Sequence, residues 1–303
     1  MKWNKLGIIF EPSCLSWSSH TALQPTPLVL DDRVRVYFGS RDNAGISRIG
    51  YVDFSKSDVT KILGFSTKPV LDIGEDGCFD ESGVVPSAII QVDGVIYMFF
   101  AGYQLGSKVR FSVLGGLCIS EDGGNTFKRA KRTPVFERND TETLFRVPHS
   151  VWYEDGLWKA WYGGGDRFVQ GHNKTLPLYD IRYTESSSPL RFNEAGKVLL
   201  QTEGEEYRLG RPAIFKRSET EYYLFYGFST ENSPYQLGYA FSVDMRSWER
   251  RDSTIGIALS QSGWDSEMMA YPNVVSFGGK TYMFYNGNEY GKCGFGAAEL
   301  LEW

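Results

Sequence analysis

Two strands joined by a tight turn are predicted by the stretch Val85-Pro-Ser-Ala-Ile-Ile-Gln-Val-Asp-Gly-Val-Ile-Tyr-Met-Phe-Phe100. Its β-branched and aromatic residues favour strands, and Asp93-Gly94 is typical of a two-residue hairpin turn. The same arrangement occurs five times: a proline opens an apolar run, and 13 or 14 residues later an aromatic residue closes a second one. The prolines are Pro25, Pro86, Pro148, Pro212 and Pro272, and the aromatic residues are Phe38, Phe100, Tyr162, Tyr226 and Tyr285.

The spacing of the prolines predicts the architecture. Successive prolines are 61, 62, 64 and 60 residues apart, so five repeats account for a chain of 303 residues. The repeats continue with a third apolar run and, except in the last repeat, a fourth. The fourth is Thr133–Glu137 in the second repeat and Ile255–Leu259 in the fourth. A period of this size with strand-like content predicts an all-β fold: a five-bladed β-propeller with four-stranded blades, as one domain over residues 1–303.

The two ends of the chain are expected to meet in one blade. The last repeat has three predicted strands before Trp303, so its fourth strand is missing. The segment Gly7–Glu11 precedes Pro25 much as Pro69–Asp72 precedes Pro86. We therefore expect the N-terminal strand to complete the last blade and close the ring, which would remove exposed sheet edges.

The composition suits a compact all-β protein and limits the classes of binding partner that we expect. Hydrophobic residues make up 42%, aromatic residues 15%, and there are 33 glycines. The net charge of −5 gives no reason to expect nucleic acid, and four scattered cysteines favour free thiols. The apolar run Leu6–Phe10 is too short for a signal-peptide core or membrane span, so we expect a cytoplasmic protein without membrane insertion. Nothing in the sequence indicates an oligomeric state.

Polar side chains at the repeat ends predict a binding site. In a propeller, the loop that enters the first strand of each blade and the loop that leaves its second strand both open on the same face, around the central channel. Carboxylates, arginines and aromatic rings in these loops suit a sugar-binding pocket. Carboxylate and guanidinium groups bind pairs of sugar hydroxyls in a bidentate manner, and aromatic rings stack on the apolar face of a pyranose. The candidates are Glu81, Asp42, His20, Gln24, Arg41, Arg146, His149, Asp166, Arg167, Arg211, Glu267, Tyr271 and Glu289.

Several of these charged residues also have structural interpretations. Glu81 and Glu267 could serve chemistry or pair with a neighbouring arginine, and Asp42 and Asp166 could form ion pairs at a blade rim. Arg146 and Arg211 fall in the predicted buried throat, where an unpaired charge is costly. They must therefore meet carboxylates or await an anionic ligand.

Four aspartates are predicted to be structural. Asp80 and Asp265 each follow an aromatic residue in equivalent loops, which indicates loop capping. Ser120-Glu-Asp-Gly-Gly-Asn-Thr-Phe127 matches the Asp-box pattern, and Ser242–Trp248 is a shortened form of it. Asp122 and Asp244 are therefore expected to cap hairpins through bonds to the backbone.

The chain resembles the five-bladed β-propeller glycosidase superfamily, which includes arabinanases, xylosidases, invertases, levansucrases and mannoside phosphorylases. The resemblance lies in the five-repeat register and in the segments Phe79–Ser87, Gly210–Phe215, Tyr239–Asp244, Trp264–Glu267 and Tyr271–Val275. It implies a carbohydrate-active enzyme with a carbohydrate or sugar-phosphate ligand. Some relatives hold calcium in the channel, but no ligand cluster here indicates a metal, and we expect no cofactor requirement.

The sequence departs from that family at the catalytic positions. The arabinanase and phosphorylase branches commonly carry an aspartate before the proline of an inner strand. Here those positions are Gln24, Val85, Val147, Arg211 and Tyr271. We expect a glycoside hydrolase-like enzyme that acts on a glycoside at the mouth of the central channel. Its carboxylates would come from Glu81, Asp42, Asp166 or Glu267, and our hypothesis makes Glu81 the general acid and Asp42 the base.

Two other functions remain open. Arg41, Arg146, Arg167 and Arg211 are many cations for a neutral-sugar hydrolase, whereas a phosphate, nucleotide sugar or acidic sugar would engage them. This favours a phosphorylase or a glycosyl-transferring enzyme of surface-polysaccharide metabolism that uses an anionic donor. The missing aspartates would also suit a non-catalytic glycan-binding propeller.

Overall fold

The computed structural model describes residues 1–18 and 20–303, and nearly all of its regular structure is β-strand. The strands are β1 (Lys2–Phe10), β2 (His20–Val29), β3 (Arg33–Arg41), β4 (Ser47–Ser55), β5 (Ile62–Phe65), β6 (Val84–Val92), β7 (Val95–Leu105), β8 (Phe111–Ser120), β9 (Lys128–Arg129), β10 (Phe145–Glu154), β11 (Leu157–Gln170), β12 (Thr175–Ser186), β13 (Lys197–Leu200), β14 (Glu206–Ser218), β15 (Glu221–Thr230), β16 (Gln236–Ser242), β17 (Glu249–Arg250), β18 (Ala270–Phe277), β19 (Lys280–Asn286) and β20 (Phe295–Glu302). Short helical turns cover Pro12–Cys14, Asp252–Thr254 and α1 (Asn288–Gly291).

The described strands form three sheets. Two have four strands each, in the orders β2-β3-β4-β5 and β1-β20-β19-β18, and the third has twelve strands from β6 to β17. Within the large sheet, antiparallel groups are joined by short parallel contacts: β10 meets β8 at two residue pairs, and β12 meets β14 at one. The all-β prediction is therefore confirmed, while the three middle repeats are linked rather than separate sheets.

The inner strands match the repeat, but two outer strands do not. Each proline lies in a strand that pairs with the strand carrying its aromatic partner. The predicted fourth strands Thr133–Glu137 and Ile255–Leu259 are wrong: the observed ones are the two-residue β9 and β17. Those apolar runs lie outside the named strands, although Phe136 forms an isolated bridge with Gly115, and only some of their side chains, such as Phe136 and Ile255, are buried in the core. At the other end, β1 pairs antiparallel with β20, as expected for the N-terminal strand.

The five prolines interrupt their strands in the same way. At or beside each one, the register between the first and second strands of the repeat shifts, as in a β-bulge. Proline has no backbone N–H to give to the ladder, so it is tolerated at such a break. The break includes the residue before the proline at Pro25, Pro212 and Pro272, and the residue after it at Pro86 and Pro148.

The core consists of apolar layers between neighbouring strand groups. One layer contains Phe10, Phe38, Phe54, Phe284 and Phe295, which come from both of the four-stranded sheets. Other layers join β3 and β4 to β6–β8, and β10–β12 to β14–β16. No helix among residues 1–18 and 20–303 is long and apolar enough to span a membrane.

Candidate functional site

The inner ends of the first strands surround a cavity of about 340 Å³. All five residues that precede the prolines line it: Gln24, Val85, Val147, Arg211 and Tyr271. Gln24, Arg211 and Tyr271 fall within the register breaks, whereas Val85 and Val147 stay paired with Ala101 and Gly163. The structure thus brings together positions that lie about 60 residues apart in the sequence.

Strained backbone is concentrated at this cavity. Gln24, Arg211, Tyr271 and Tyr290 line it and have positive φ angles of 54°, 55°, 59° and 59°. Such angles cost roughly 1–3 kcal/mol for a residue other than glycine and persist only where the surroundings enforce them. Strain of this kind is typical of functional sites.

Arg211 is a buried cation without a carboxylate partner among the described residues. It is 2% exposed. Its Nη1 donates to Gln24 Oε1 at 2.6 Å, and its Nη2 donates to Thr26 Oγ1 at 2.6 Å and to backbone carbonyls of Gln24 and Pro25 at 3.1 Å. The Nε atom is buried and has no hydrogen-bond partner in the described part of the chain. All of its acceptors are neutral.

The charge of Arg211 is held at an energetic cost. Burial lowers the pKa of its guanidinium from 12.5 to about 9, an effect that Tyr271 and Tyr103 oppose. The group is still charged at neutral pH. An anion in the cavity would supply the missing counter-charge.

Arg208 lies three residues earlier on β14 and is 9% exposed. Its guanidinium is 3.9 Å from the ring centroid of Tyr235 and 4.8 Å from that of Tyr207. Its Nε donates to Ser229 Oγ at 2.7 Å, and its Nη2 donates to the Tyr290 hydroxyl at 3.2 Å. In the described structure it forms no ion pair. We call Arg208 and Arg211 the deep arginine pair.

Tyrosines form most of the remaining wall. Burial raises the pKa values of Tyr103, Tyr179, Tyr235 and Tyr271, so their hydroxyls stay protonated. The hydroxyls of Tyr179 and Tyr235 are 2.5 Å apart. These side chains can donate hydrogen bonds to a ligand and offer ring faces for stacking, but they are poor bases.

His149 also lines the cavity, directly after Pro148. Burial, together with the charge of Arg211, lowers the pKa of its imidazole well below 6.5. Its Nδ1 is buried and has no partner in the described structure. A neutral ring in this position can accept a hydrogen bond from a ligand hydroxyl.

Three further cations complete the wall. Arg41 lies at the end of β3 and lines the cavity. Arg110 and Lys174 are exposed residues of the turns β7–β8 and β11–β12, and we call them the rim cations. Arg110 Nη2 donates to the Thr175 carbonyl at 2.8 Å, which joins the two turns. No aspartate or glutamate of the described chain lines the cavity, so its charge is positive.

The two candidate catalytic carboxylates, Glu81 and Asp42, lie outside the cavity lining. Glu81 Oε2 accepts the Gly77 N–H at 2.6 Å, and its Oε1 accepts from Gln104 at 3.4 Å. Asp42 Oδ2 accepts from Arg48 at 2.7 Å. Its Oδ1 caps the backbone N–H groups of residues 44 and 46. Both carboxylates thus have local partners.

Other predicted site residues are also outside the lining. Arg146 is fully buried and meets a carboxylate, with Nε 2.5 Å from Glu142 Oε2. The two throat arginines therefore have different outcomes. Arg146 has an internal counter-ion, and Arg211 has none in the described structure. The remaining residues are the Asp166–Arg167 ion pair at 2.9 Å, Glu289 paired with Lys292 at 2.8 Å, exposed Glu267, and His20 at the start of β2.

The aspartates predicted to be structural have structural partners. Asp122 accepts from the backbone N–H groups of Asn125 and Thr126, both at 3.0 Å, which confirms its capping role. Asp244 does the same for residues 246 and 247. Asp80 and Asp265 are each 1% exposed and form ion pairs with Arg129 and Lys5 at 2.7 Å.

The lining residues that sequence reasoning missed include Arg110, Lys174, Tyr179, Tyr235 and Tyr290. Four of them come from hairpin turns or from strands that extend past the repeat pattern. The available signal is strand length, since β7 has 11 residues and β11 has 14, against 7 in β19.

Within residues 1–18 and 20–303, no group of three or more His, Cys, Asp or Glu side chains could hold a metal ion.

Comparisons with known proteins agree with this architecture. The chain matches no protein-family model. It is 31% identical to the uncharacterized proteins MT1551 and Rv1502 of Mycobacterium tuberculosis, with 99% of each chain covered. Among solved structures it is similar to a β-1,2-mannobiose phosphorylase from Listeria innocua, at a TM-score of 0.71 and 13% identity over 99% of this chain and 97% of that one.

Glycoside hydrolases give similar matches. A thermostable family-43 enzyme has a TM-score of 0.69 and 17% identity, over 95% of this chain and 92% of the other. A Bombyx mori GH32 β-fructofuranosidase has a TM-score of 0.62 and 16% identity, over 93% of this chain and 61% of the other. The chain therefore has the fold of the propeller glycosidase superfamily.

Proposed function

Since the chain belongs to the same family as the mycobacterial proteins MT1551 and Rv1502, and has the propeller glycosidase fold, we propose that it is a carbohydrate-active enzyme whose cavity binds an anionic sugar. The ligand class is a sugar phosphate, a nucleotide-linked sugar or an acidic sugar. The observation that carries this proposal is the deep arginine pair, which is buried in the cavity wall without a carboxylate partner in the described structure.

Electrostatics support this ligand class. Buried arginines are normally paired, and a guanidinium with free N–H groups binds phosphate or carboxylate oxygens with charge-assisted bonds. Arg211 Nε has no partner in the described chain, and the tyrosine hydroxyls nearby stay protonated and can donate. A neutral sugar would leave the charge of Arg211 uncompensated.

The reaction we propose is transfer of a glycosyl group between a phosphate and a sugar hydroxyl. The bond from C1 to the phosphate oxygen breaks as C1 bonds to the hydroxyl oxygen, and the hydroxyl proton leaves with the phosphate, or the same steps run in reverse. Guanidinium groups stabilise the charge that develops on a phosphate when its bond to a sugar breaks. Hydrolysis by two carboxylates would instead require Glu81 and Asp42 to act from outside the cavity lining, where both already have partners. A glycoside hydrolase that uses these residues is thus the alternative, and a non-catalytic binding propeller is the outcome if no turnover is found.

We also propose a five-bladed ring as one domain over residues 1–303. The apolar layer shared by the two four-stranded sheets and the pairing of β1 with β20 support ring closure. The parallel links within the large sheet involve so few residue pairs that each group of four strands can count as one blade. A cytoplasmic location and the absence of a cofactor requirement remain predictions.

Isothermal titration calorimetry would test the proposed ligand class. The titrants are glucose 1-phosphate, galacturonate and inorganic phosphate, with glucose as the neutral control, against wild type, Arg211→Met and Arg208→Met. Arg217→Met is the matched control, since Arg217 lies on the same strand but is exposed and pairs with Glu221. We expect an anion to bind to wild type and to the control, and to bind about 100-fold more weakly to the variants of the deep arginine pair.

Two results would contradict the proposal. One is glucose binding as tightly as the anionic sugars, and the other is unchanged anion affinity in well-folded Arg211→Met and Arg208→Met. Circular dichroism and thermal unfolding would check folding. Release of phosphate from glucose 1-phosphate, measured with each variant, would then separate an enzyme from a binding protein.

A further inference from the structure

Positive charge occurs at two depths of the cavity. The deep arginine pair is 9% and 2% exposed, whereas both rim cations are exposed. Lys174 and Arg110 form no ion pair in the described structure, and Arg110 is held in place by its bond to the Thr175 carbonyl. The cavity therefore offers one buried and one open cationic region.

A row of aromatic rings separates these regions. The Arg110 guanidinium is 5.3 Å from the centroid of Phe111, which is 6.0 Å from that of Phe145, which in turn is 5.5 Å from that of Tyr179. The row continues through the Tyr179 hydroxyl to Tyr235, whose ring lies under Arg208. The two cationic regions therefore contact different parts of the cavity lining, with Phe145 and Tyr179 between them along this row.

We propose that the ligand carries two anionic groups, one bound by the deep arginine pair and the other by the rim cations, with a sugar ring against the aromatic row between them. The ligand class is a saccharide with two separate anionic groups. This inference rests on the proposed function, which supplies the first anion, and adds the second. The same chemistry has two sources: a single sugar with two phosphates, or neighbouring acidic sugars of an oligosaccharide.

Calorimetry with matched ligands tests the second anion. Glucose 1-phosphate is compared with glucose 1,6-bisphosphate, and galacturonate with digalacturonate, on wild type and on the double variant Arg110→Met with Lys174→Met. The control is Lys68→Met with Lys131→Met, because these exposed lysines do not line the cavity and their removal changes the net charge equally. We expect the second anion to improve affinity about tenfold in wild type and in the control, in one or both ligand series.

In the rim variant that improvement should fall to less than twofold, while the affinity for ligands with one anionic group stays within about twofold of wild type. The ligand series with the larger gain identifies the source of the second anionic group. The inference is overturned if neither second anionic group improves wild-type affinity, or if the gain survives in the rim variant. Failure of the proposed function has a different signature, since then no ligand with one anionic group would depend on Arg211.

Discussion

Arg211 Nη1 donates to the side-chain oxygen of Gln24 at 2.6 Å, although the two residues are 187 positions apart in the chain. Gln24 is fixed in turn, because its backbone N–H donates to Asn286 Oδ1 at 2.7 Å. The bond joins β14 to β2 and orients the guanidinium without neutralising it. The uncharged amide of Gln24 therefore keeps the cavity positive.

Replacing Gln24 by Glu should close the site to anions. The carboxylate would sit beside Arg211 and form the buried ion pair that the wild type lacks. We expect the unfolding temperature of the ligand-free protein to rise by several degrees, and the affinity for glucose 1-phosphate to fall about 30-fold or more. Scanning fluorimetry and calorimetry measure the two effects.

Gln24→Met is the control for this change, since it removes the acceptor without adding charge. It should lower stability and leave measurable anion binding. A Gln24→Glu protein that binds glucose 1-phosphate as tightly as wild type would show that Arg211 is not the anion-binding group.

Anions should stabilise the wild-type fold. A ligand at 100 times its dissociation constant stabilises the native state by about 2.7 kcal/mol, which corresponds to roughly 5 °C or more in a chain of this size. We expect such a shift with glucose 1-phosphate and little shift with sodium chloride at equal ionic strength. The Arg211→Met protein should show no shift with the sugar phosphate, and an equal shift in that variant would place the binding elsewhere.

Glu81→Gln and Asp42→Asn discriminate between transfer and carboxylate-based hydrolysis. Both residues lie outside the cavity lining, so each variant should bind anionic sugars within about twofold of wild type and retain any turnover of glucose 1-phosphate. A panel of glycosides, with and without phosphate, completes the comparison. Glycoside cleavage that disappears in Glu81→Gln while ligand binding persists would support the hydrolase alternative.

Removal of divalent cations should leave ligand binding unchanged. The anion is expected to be bound by guanidinium and hydroxyl groups, which need no bridging metal. Affinity for glucose 1-phosphate is measured before and after dialysis against EDTA, and again after addition of calcium. A large loss that calcium restores would indicate a metal in the channel and contradict this expectation.

The sequence was sufficient to predict the inner strands because bulged prolines and their aromatic partners have the same positions in every repeat. It failed for the fourth strands, since the hydrogen-bonded part of β9 or β17 is two residues long. Pro134, Val135 and Phe136 of the predicted run are buried although they lie outside the named strands, and burial produces the same pattern as a strand. Hydrophobicity alone does not separate these cases.

The site was predictable only where it depends on the repeat register. Gln24, Arg211 and Tyr271 line the cavity because of their place before a proline. Tyr179 lines it because the β11–β12 hairpin is long, a feature of one repeat. Glu81 is four residues before Val85, which lines the cavity from β6, yet the Glu81 carboxylate is bound by the Gly77 N–H in a turn that no repeat pattern encodes.

The Asp122 cap gives a prediction independent of ligand binding. Burial opposes the shift, but hydrogen bonds from Ser120, Thr126 and the backbone lower the pKa of Asp122 from 3.8 to about 2. Because the folded-state pKa is the lower one, this stabilisation is present above about pH 4 and is lost as the pH falls toward 2. Asp122→Ala should therefore reduce the free energy of unfolding by about 1 kcal/mol at pH 7 and by less near pH 2. Denaturant unfolding at both pH values, with Glu121→Ala as a control on the same hairpin, measures this difference, and a pH-independent one would exclude the carboxylate as its source.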